Sequence, residues 1–211
     1  MKVGLLISKG IKDYKKKSLE LLVNEKKISV EIAIIDNRKT LTVKEKILKN
    51  IKRGRGGYIL VMIFQKLFKV RQKEIDSESY LKMHNIKVYK TANIHDVNSL
   101  GYIRGYDLDL LILLNGFGIL RKQVLNITRL GVLSYHHGDM RKYRGMPPCF
   151  WELYNNEKEI GITVQRINEK LDAGFPIVEK SIKIDKKFSY DELLSKVQKE
   201  SIGMMHYTAS I

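Results

Sequence analysis

Short apolar runs alternate along the chain with stretches whose apolar residues recur at helical spacing. Runs of about four to eight apolar residues are typical of buried strands, and apolar residues three or four positions apart indicate an amphipathic helix. These patterns predict strands over 3–8, 30–35, 87–90, 108–114, 131–136, 160–167 and 176–184. Helices are predicted over 15–25, 43–73, 149–155 and 190–204, and part of the polar segment up to Gly105 is expected to be helical.

Glycines and prolines mark two of the predicted helices. Gly54, Gly56 and Gly57 interrupt the helical pattern of 43–73. Pro147 and Pro148 precede the helix 149–155, where the fixed φ of proline suits a first turn. Strands that alternate with helices indicate a parallel sheet covered on both sides. The predicted fold is therefore α/β, a Rossmann-like open, mostly parallel sheet with helices on both faces.

Length and composition are those of an ordinary globular protein. The chain has 211 residues, of which 44% are hydrophobic, and this is enough for one substantial core. Without an internal repeat, low-complexity tract or linker, we predict a single domain over 1–211. The apolar runs are too short to span a bilayer, and the first strand pattern begins almost at Met1 without a signal peptide pattern. We expect a cytoplasmic protein with no membrane partner.

Cysteine content limits the chemistry further. The single cysteine, Cys149, excludes an intramolecular disulfide framework and fits a reducing compartment. Because no cluster of Cys and His residues has the spacing of a zinc site, we expect no bound metal.

The net charge of +16 is the strongest signal in the composition. A basic surface attracts phosphate-bearing partners, and the basic segment 52–57 resembles an anion-binding loop. A lysine-rich proteome with solvated surfaces explains the same charge, and a plain turn between helices explains 52–57. The charge permits a nucleotide-linked or RNA partner without choosing between them.

Polar side chains follow the predicted strand 131–136. The strand ends in Ser134, His136 and His137, with Asp139 just beyond. Ligands bind at the carboxyl ends of strands in open α/β sheets, and histidines there suit proton transfer. The alternative is that both histidines only cap the strand.

Further motifs come after this strand end in a fixed order. They are Tyr143-Arg144-Gly145, Pro147-Pro148, Phe150-Trp151-Glu152, the segment 159–164 and Leu171-Asp172-Ala173-Gly174. With them, the segment 131–174 resembles the core of the tetrahydrofolate-dependent formyltransferases, which include methionyl-tRNA, glycinamide ribonucleotide and nucleotide-sugar formyltransferases. In that family an Asn-x-His triplet ends one strand and an aspartate lies in a downstream loop. The family histidine falls on His136 and the aspartate on Asp172, but the asparagine falls on Ser134.

The resemblance implies transfer of a formyl group from N10-formyltetrahydrofolate to an amine, without a metal. It assigns catalysis to His136, Asp172 and Ser134, with His136 as oxyanion partner and proton relay and Asp172 behind it. Serine is shorter than asparagine, so His137 or Tyr135 is an alternative donor, and a catalytically weak or silent folate-binding domain is an alternative function.

The same resemblance assigns residues to the two substrates. The donor is expected to bind at Phe117, Gly118, Ile119 and Leu120, which follow the strand 108–114, and at Asn168 and Asp172. A tight turn between strand and helix also explains those glycines. Accessory or acceptor roles are expected for a second set of residues, namely His137, Asp139, Tyr143, Arg144 and Gly145.

Several acceptors remain open at this point. A nucleotide-linked amino sugar is the preferred prediction, and initiator methionyl-tRNA is the alternative, although that enzyme carries a C-terminal β-barrel domain which we do not expect in this chain. The segment 9–14 lacks the glycine-rich phosphate loop of the glycinamide ribonucleotide enzymes, and a formyltetrahydrofolate hydrolase ranks last. The expected partner is thus a phosphate-bearing small molecule or tRNA, and a homodimer is an open alternative.

Overall fold

The computed structural model describes residues 1–39, 42–52, 54, 74–143, 147–170 and 174–211. The described strands are β1 (Lys2–Ser8), β2 (Gly10–Lys12), β3 (Ser29–Asp36), β4 (Glu74–Asp76), β5 (Lys87–Thr91), β6 (Leu110–Leu113), β7 (Val132–His137), β8 (Glu159–Arg166) and β9 (Phe175–Lys183). The described helices are α1 (Asp13–Val23), α2 (Val43–Lys52), α3 (Ser77–Met83), α4 (Val97–Arg104), α5 (Lys122–Leu125), α6 (Phe150–Tyr154), α7 (Tyr190–Glu200) and α8 (Met204–Ser210).

The chain divides into two compact units. One comprises Met1–Asn37 and Glu74–Ile211, and the other is Arg38–Lys73. All the strands listed above lie in the first unit, and α2 lies in the second. Thr42 and Glu45 cap α2, since each backbone N–H donates to the side chain of the other residue.

A seven-stranded sheet forms the centre of the first unit, in the order β5-β3-β1-β6-β7-β8-β9. The pairs from β5 to β7 are parallel, whereas β8 runs antiparallel to both β7 and β9. The chain builds outward from β1 towards β3 and β5, and then returns to add β6 on the other side. This reversal places a topological switch point between the carboxyl ends of β1 and β6, where open α/β sheets form a crevice.

Hydrophobic side chains cover both faces of the sheet, because successive residues of a buried strand point in opposite directions. One core cluster joins strand residues such as Ile7 and Leu133 to α1, α3, α7 and α8. The other joins Leu6 and Val132 to α4 and α5. The predicted α/β fold with helices on both faces is confirmed.

Three predicted elements differ in detail from the structure. The helix predicted over 190–204 is two helices, α7 and α8, with a turn at 201–203 between them. The helix predicted over 149–155 is one residue shorter at each end, since α6 (Phe150–Tyr154) begins after Cys149 in a left-handed conformation with φ of 67°. Of the helix predicted over 43–73, α2 accounts for 43–52, and 53 and 55–73 lie outside the described residues.

The strands that the apolar patterns did not predict are short. β2 and β4 pair as a small antiparallel ribbon of three residues each, too short to show an apolar period. Within the described ranges, no helix is both long and apolar enough to cross a membrane.

Candidate active site

Asn115 ties the two strands at the switch point together. Its side-chain oxygen accepts a hydrogen bond from the Ser8 backbone N–H at 2.9 Å, and its amide donates to the Gly10 carbonyl at 3.1 Å. These bonds fix the first residues after β1 and β6 relative to each other. The crevice between the two strand ends therefore has a rigid base.

The loop after Asn115 turns over this base in an unusual backbone conformation. Gly116, Phe117 and Gly118 all have positive φ, of 87°, 55° and 67°. A Cβ at Gly116 would lie 3.2 Å from the Asp36 Cβ, so a larger residue would be both strained and crowded. Asp36 stabilises the loop by accepting a hydrogen bond from the Phe117 N–H at 2.7 Å.

Only some of the predicted donor-binding side chains of this loop are accessible. Phe117 and Leu120 are buried in the core, at 5% and 4% exposure, whereas Ile119 is 70% exposed and Gly118 is also exposed. A ligand in the crevice would therefore meet the backbone of Gly118 and Ile119 rather than the Phe117 ring.

The residues at the end of β7 are divided between the two faces of the sheet. Ser134 and His136 are both buried, and they share one face because they are two residues apart. Tyr135 faces the opposite side, where its hydroxyl contacts Ser18 of α1 and accepts a hydrogen bond from the Met205 N–H of α8. His137 stacks on Tyr135 with ring centroids 5.7 Å apart. Neither Tyr135 nor His137 therefore lies on the Ser134 face.

His136 is held by the loop that follows β7. Its Nε2 lies 3.1 Å from the carbonyl oxygen of Tyr143. Because a carbonyl oxygen only accepts hydrogen bonds, Nε2 must carry the proton. In a neutral imidazole, Nδ1 is then the atom that can accept a proton.

Tyr143 is itself anchored on both sides. Its backbone N–H donates to the Asp139 carbonyl at 2.7 Å, closing a turn over 139–143. Its hydroxyl donates to Glu157 Oε1 at 2.8 Å and accepts from Asn155 Nδ2 at 3.0 Å. The Asp139 side chain accepts from the Arg141 N–H at 2.9 Å, which stabilises the same turn. The position of the carbonyl above His136 is therefore fixed by several bonds.

Glu152 is a buried carboxyl beside His136 that the sequence did not single out as a site residue. It is 2% exposed, and its Oε1 accepts from the Asp139 N–H at 3.3 Å. Burial raises the pKa of the Glu152 carboxyl. A Cβ placed on Gly138 would lie 3.0 Å from Glu152 Oε1 and 3.2 Å from His136 Nε2, so both groups border the space at Gly138.

Lys15 and His137 form a second group of titratable side chains, on the α1 face. Burial lowers the pKa of the Lys15 ammonium to about 8, and Lys15 Nζ donates to the Leu114 carbonyl. Burial, with a smaller contribution from Lys15, lowers the pKa of His137 to about 3. His137 Nε2 is buried with no hydrogen-bond partner among the described residues. His137 is thus neutral at physiological pH.

Gln165 faces Ser134 across the sheet. The two residues are direct partners in the antiparallel β7–β8 ladder, and His136 pairs with Thr163 in the same ladder. Gln165 is 5% exposed, and its Oε1 accepts a hydrogen bond from the Gly174 N–H at 3.2 Å. The sequence patterns did not identify this residue, since only the strand register places it opposite Ser134.

The structure brings Ser134, His136, Asp139 and Tyr143 together around the end of β7. Asn168 lies just after β8, where its side chain accepts from the Lys170 N–H at 2.9 Å. Three predicted site residues, Asp172, Arg144 and Gly145, lie outside the described residues. Their roles stay predictions.

A polar cavity of about 620 Å³ borders this end of β7. It extends from Asp139 to β8 and β9, and its lining carries both acidic and basic side chains, including Lys142, Lys158 and Glu179. A volume of this size suits a small ligand, and the lining suits a polar one. Among the described residues, no group of three or more His, Cys, Asp or Glu side chains is arranged to hold a metal ion.

The chain is similar in sequence and in fold to known proteins. A family model described as formyl transferase matches residues 4–208. The bifunctional polymyxin resistance protein ArnA of Wigglesworthia glossinidia brevipalpis is 31% identical over 125 residues, covering 59% of this chain and 19% of that protein. A methionyl-tRNA formyltransferase of Clostridioides difficile (strain 630) is 30% identical over 114 residues, covering 54% of this chain and 37% of that protein. The matched part is well under half of either relative.

Solved structures resemble the chain over nearly its whole length. A phosphoribosylglycinamide formyltransferase from Anaplasma phagocytophilum has a TM-score of 0.69 and 16% identity, covering 99% of this chain and 84% of that one. A formyltetrahydrofolate deformylase from Pseudomonas syringae pv. tomato str. DC3000 has a TM-score of 0.67 and 16% identity, covering 99% and 60%. At such identities the likeness is one of fold.

Proposed function

Because the chain belongs to the formyl transferase family, we propose that it transfers a formyl group from N10-formyltetrahydrofolate to an acceptor amine. The observation that carries the proposal is the setting of His136, a buried imidazole at the carboxyl end of β7. Its Nε2–H is engaged by the Tyr143 carbonyl, which leaves Nδ1 for proton transfer.

The formyl donor would bind in the crevice beside β6. The exposed backbone of Gly118 and Ile119 fits the edge of a flat pterin ring, because peptide groups both donate and accept hydrogen bonds. Leu113 pairs with Ser134 across the β6–β7 ladder, so this loop starts close to the proposed reaction centre. Asn168 and Asp172 complete the predicted donor side.

His136 would act on both the proton and the oxyanion. Attack of a neutral amine on the formyl carbon puts negative charge on the formyl oxygen, and the amine must lose a proton. Nδ1 of His136 accepts that proton and, once protonated, donates a hydrogen bond to the oxyanion. It then gives the proton to N10 as the bond between the formyl carbon and N10 breaks and tetrahydrofolate leaves. Asp172 is the predicted group that orients the imidazole or an ordered water.

The preferred acceptor is an amino sugar linked to a nucleotide. Three exposed aromatic rings on α6 support it. The ring centroids of Phe150 and Tyr154 lie 5.1 Å and 6.0 Å from that of Trp151. Aromatic faces stack on sugars and bases, and the opposite side of the same helix places Glu152 beside Gly138. Lys158 at the cavity supplies a cation for a diphosphate, whereas Lys142 Nζ is paired with Glu157 at 3.2 Å.

Initiator methionyl-tRNA is the second candidate. The net charge of +16 and the matched methionyl-tRNA formyltransferase favour it. The two acceptors differ in their dependence on salt, because an RNA partner releases many counterions on binding. Tight tRNA binding that weakens by about 10³-fold or more between 50 and 200 mM salt would favour tRNA.

The deciding experiment is a transfer assay with N10-formyltetrahydrofolate and a panel of amines that spans nucleotide amino sugars and methionyl-tRNA. Mass spectrometry detects the formylated product, and absorbance follows the released tetrahydrofolate. We expect His136→Ala to lower kcat by about 10²-fold or more. His84→Gln, which changes a histidine at the end of α3, is the matched control.

Two results would contradict the proposal. One is the absence of both transfer to any amine and slow hydrolysis of the donor. The other is full turnover by His136→Ala. Donor binding without turnover would instead identify a silent folate-binding domain.

A further inference from the structure

A formyl-transfer site needs a hydrogen-bond donor at the formyl oxygen in addition to the proton relay, because charge develops there in the tetrahedral intermediate. On the His136 face of β7, the side chain nearest in sequence is Ser134. Its hydroxyl can donate, but it extends less far than a carboxamide would. Tyr135 and His137 lie on the other face, so β7 itself offers no longer donor.

A carboxamide lies directly opposite Ser134, on β8. Gln165 is the cross-strand partner of Ser134, and directly opposed residues point to the same face with Cβ atoms about 4.5–5.5 Å apart. The Gln165 side chain is therefore in the same buried layer as Ser134 and His136. At 5% exposure, it occupies the protein interior rather than solvent.

The orientation of this carboxamide follows from its contact with Gly174. The Gly174 N–H can only donate, so it selects the oxygen of Gln165, at 3.2 Å. The Nε2 group consequently points away from Gly174. A Cβ at Gly174 would lie 2.4 Å from Oε1, so glycine permits this close approach. Gly174 follows Asp172 by two residues, and Gln165 thus connects the Ser134 side of the site to the loop that carries Asp172.

From this juxtaposition we infer that Gln165 is a catalytic residue whose Nε2–H donates to the formyl oxygen, in the role that a carboxamide at position 134 would otherwise fill. The inference rests on the proposed function. It assigns the lost donor of β7 to the facing residue of β8, whose Oε1 is bonded to the Gly174 N–H and whose Nε2 is left to donate.

Two variants separate catalysis from anchoring. Gln165→Glu keeps an oxygen for the Gly174 N–H but removes the donor, whereas Gln165→Met removes both. Turnover should fall by about 10²–10³-fold in each variant, with the KM for the donor little changed. Ser134→Asn in the Gln165→Met background should restore a large part of the turnover. Gln198→Met, at an equally buried glutamine on α7, is the control and should keep wild-type turnover.

Binding gives a readout that does not depend on the acceptor. Calorimetry compares two tetrahydrofolate analogues with carbon in place of N10, one with an aldehyde that hydrates to a geminal diol and one without. The wild type should bind the aldehyde about 10-fold more tightly or better, because the diol resembles the intermediate. Gln165→Glu and Gln165→Met should lose that preference and keep their affinity for the parent analogue.

Three outcomes would overturn the inference about Gln165. If the variants retain the preference for the aldehyde, Gln165 only anchors Gly174 and the inference is wrong. Equal binding of both analogues by the wild type would also overturn it, while leaving folate binding intact. If the wild type binds neither analogue, the proposed function fails and the inference fails with it.

Discussion

The carbonyl oxygen of Tyr143 accepts a hydrogen bond from His136 Nε2 at 3.1 Å, and this bond determines the tautomer of the imidazole. The Tyr143 hydroxyl, bonded to Glu157 and Asn155, holds that carbonyl in place from the other end of the residue. A side chain remote from the reacting atoms thus orients the proposed catalytic base.

Tyr143→Phe removes the two hydroxyl bonds and leaves the ring. We expect kcat to fall by about 3- to 10-fold with little change in the KM for the donor, since one ordinary hydrogen bond contributes about 1 kcal/mol. ¹⁵N NMR of His136 should show a second tautomer. Tyr207→Phe, at an exposed tyrosine of α8, should change neither, and an unaltered His136 spectrum in Tyr143→Phe would refute the positioning role.

Gly138→Ala tests the space that Glu152 and His136 both border. The new Cβ would lie 3.0 Å from Glu152 Oε1 and 3.2 Å from His136 Nε2, so both groups must move. We expect turnover to fall by about 10-fold or more, because proton transfer depends on geometry at this scale. Steady-state kinetics and thermal unfolding of the variant measure the two effects separately.

Gly101→Ala is the matched control for that substitution. Gly101 lies within α4, and a Cβ there would have no neighbour within 4 Å. Alanine should stabilise the protein by about 0.5–1 kcal/mol through its helix propensity and leave turnover unchanged. If Gly138→Ala and Gly101→Ala have the same kinetics, the space at Gly138 does not affect turnover.

Glu152→Gln should change how stability depends on pH. Burial raises the pKa of Glu152 in the folded state, so the wild type loses stability as pH rises from the unfolded value through the raised folded value. Glutamine cannot ionise, and it keeps an oxygen for the Asp139 N–H. The Tm of the variant relative to wild type should therefore be higher at pH 7.5 than at pH 4, and a pH-independent difference would contradict this account.

His137 should resist protonation over the physiological range. Because its pKa is lowered to about 3, its ring signals in NMR should not shift between pH 5 and 8. Between these two pH values the His137 ring binds fewer protons in the folded state than in the unfolded state. Its contribution to stability is therefore present above about pH 6.5 and is lost as pH falls towards 3. His137→Phe should reduce the acid-induced loss of Tm, and a ring titration near 6.5 would refute the assignment.

Much of the fold could be predicted from local patterns, for physical reasons. Central strands such as β1 and β7 are buried on both faces, so they appear as continuous apolar runs. Elements without enough residues to show a period, such as the β2–β4 ribbon, could not be predicted. The split between α7 and α8 was missed because Ile202, inside the turn at 201–203, continues the apolar spacing of the helix.

For the candidate site, the order of motifs along the chain pointed to the end of β7, and the family resemblance pointed to the loop after β6. It identified His136 and Ser134 as candidates, and the packing put both on one buried face. The same reasoning grouped His137 with them by proximity in sequence. Strand alternation places His137 on the opposite face, in contact with Tyr135.

The sequence by itself determined the α/β class, the family resemblance and the position of the proposed catalytic histidine, because these depend on local periodicity and on motifs in fixed order. Only the tertiary structure decided which groups surround that histidine. The Tyr143 carbonyl and Glu152 come from loop closure and helix packing, and strand register places Gln165 opposite Ser134. Those contacts join residues separated in the chain, and no local pattern of apolar and polar positions encodes them.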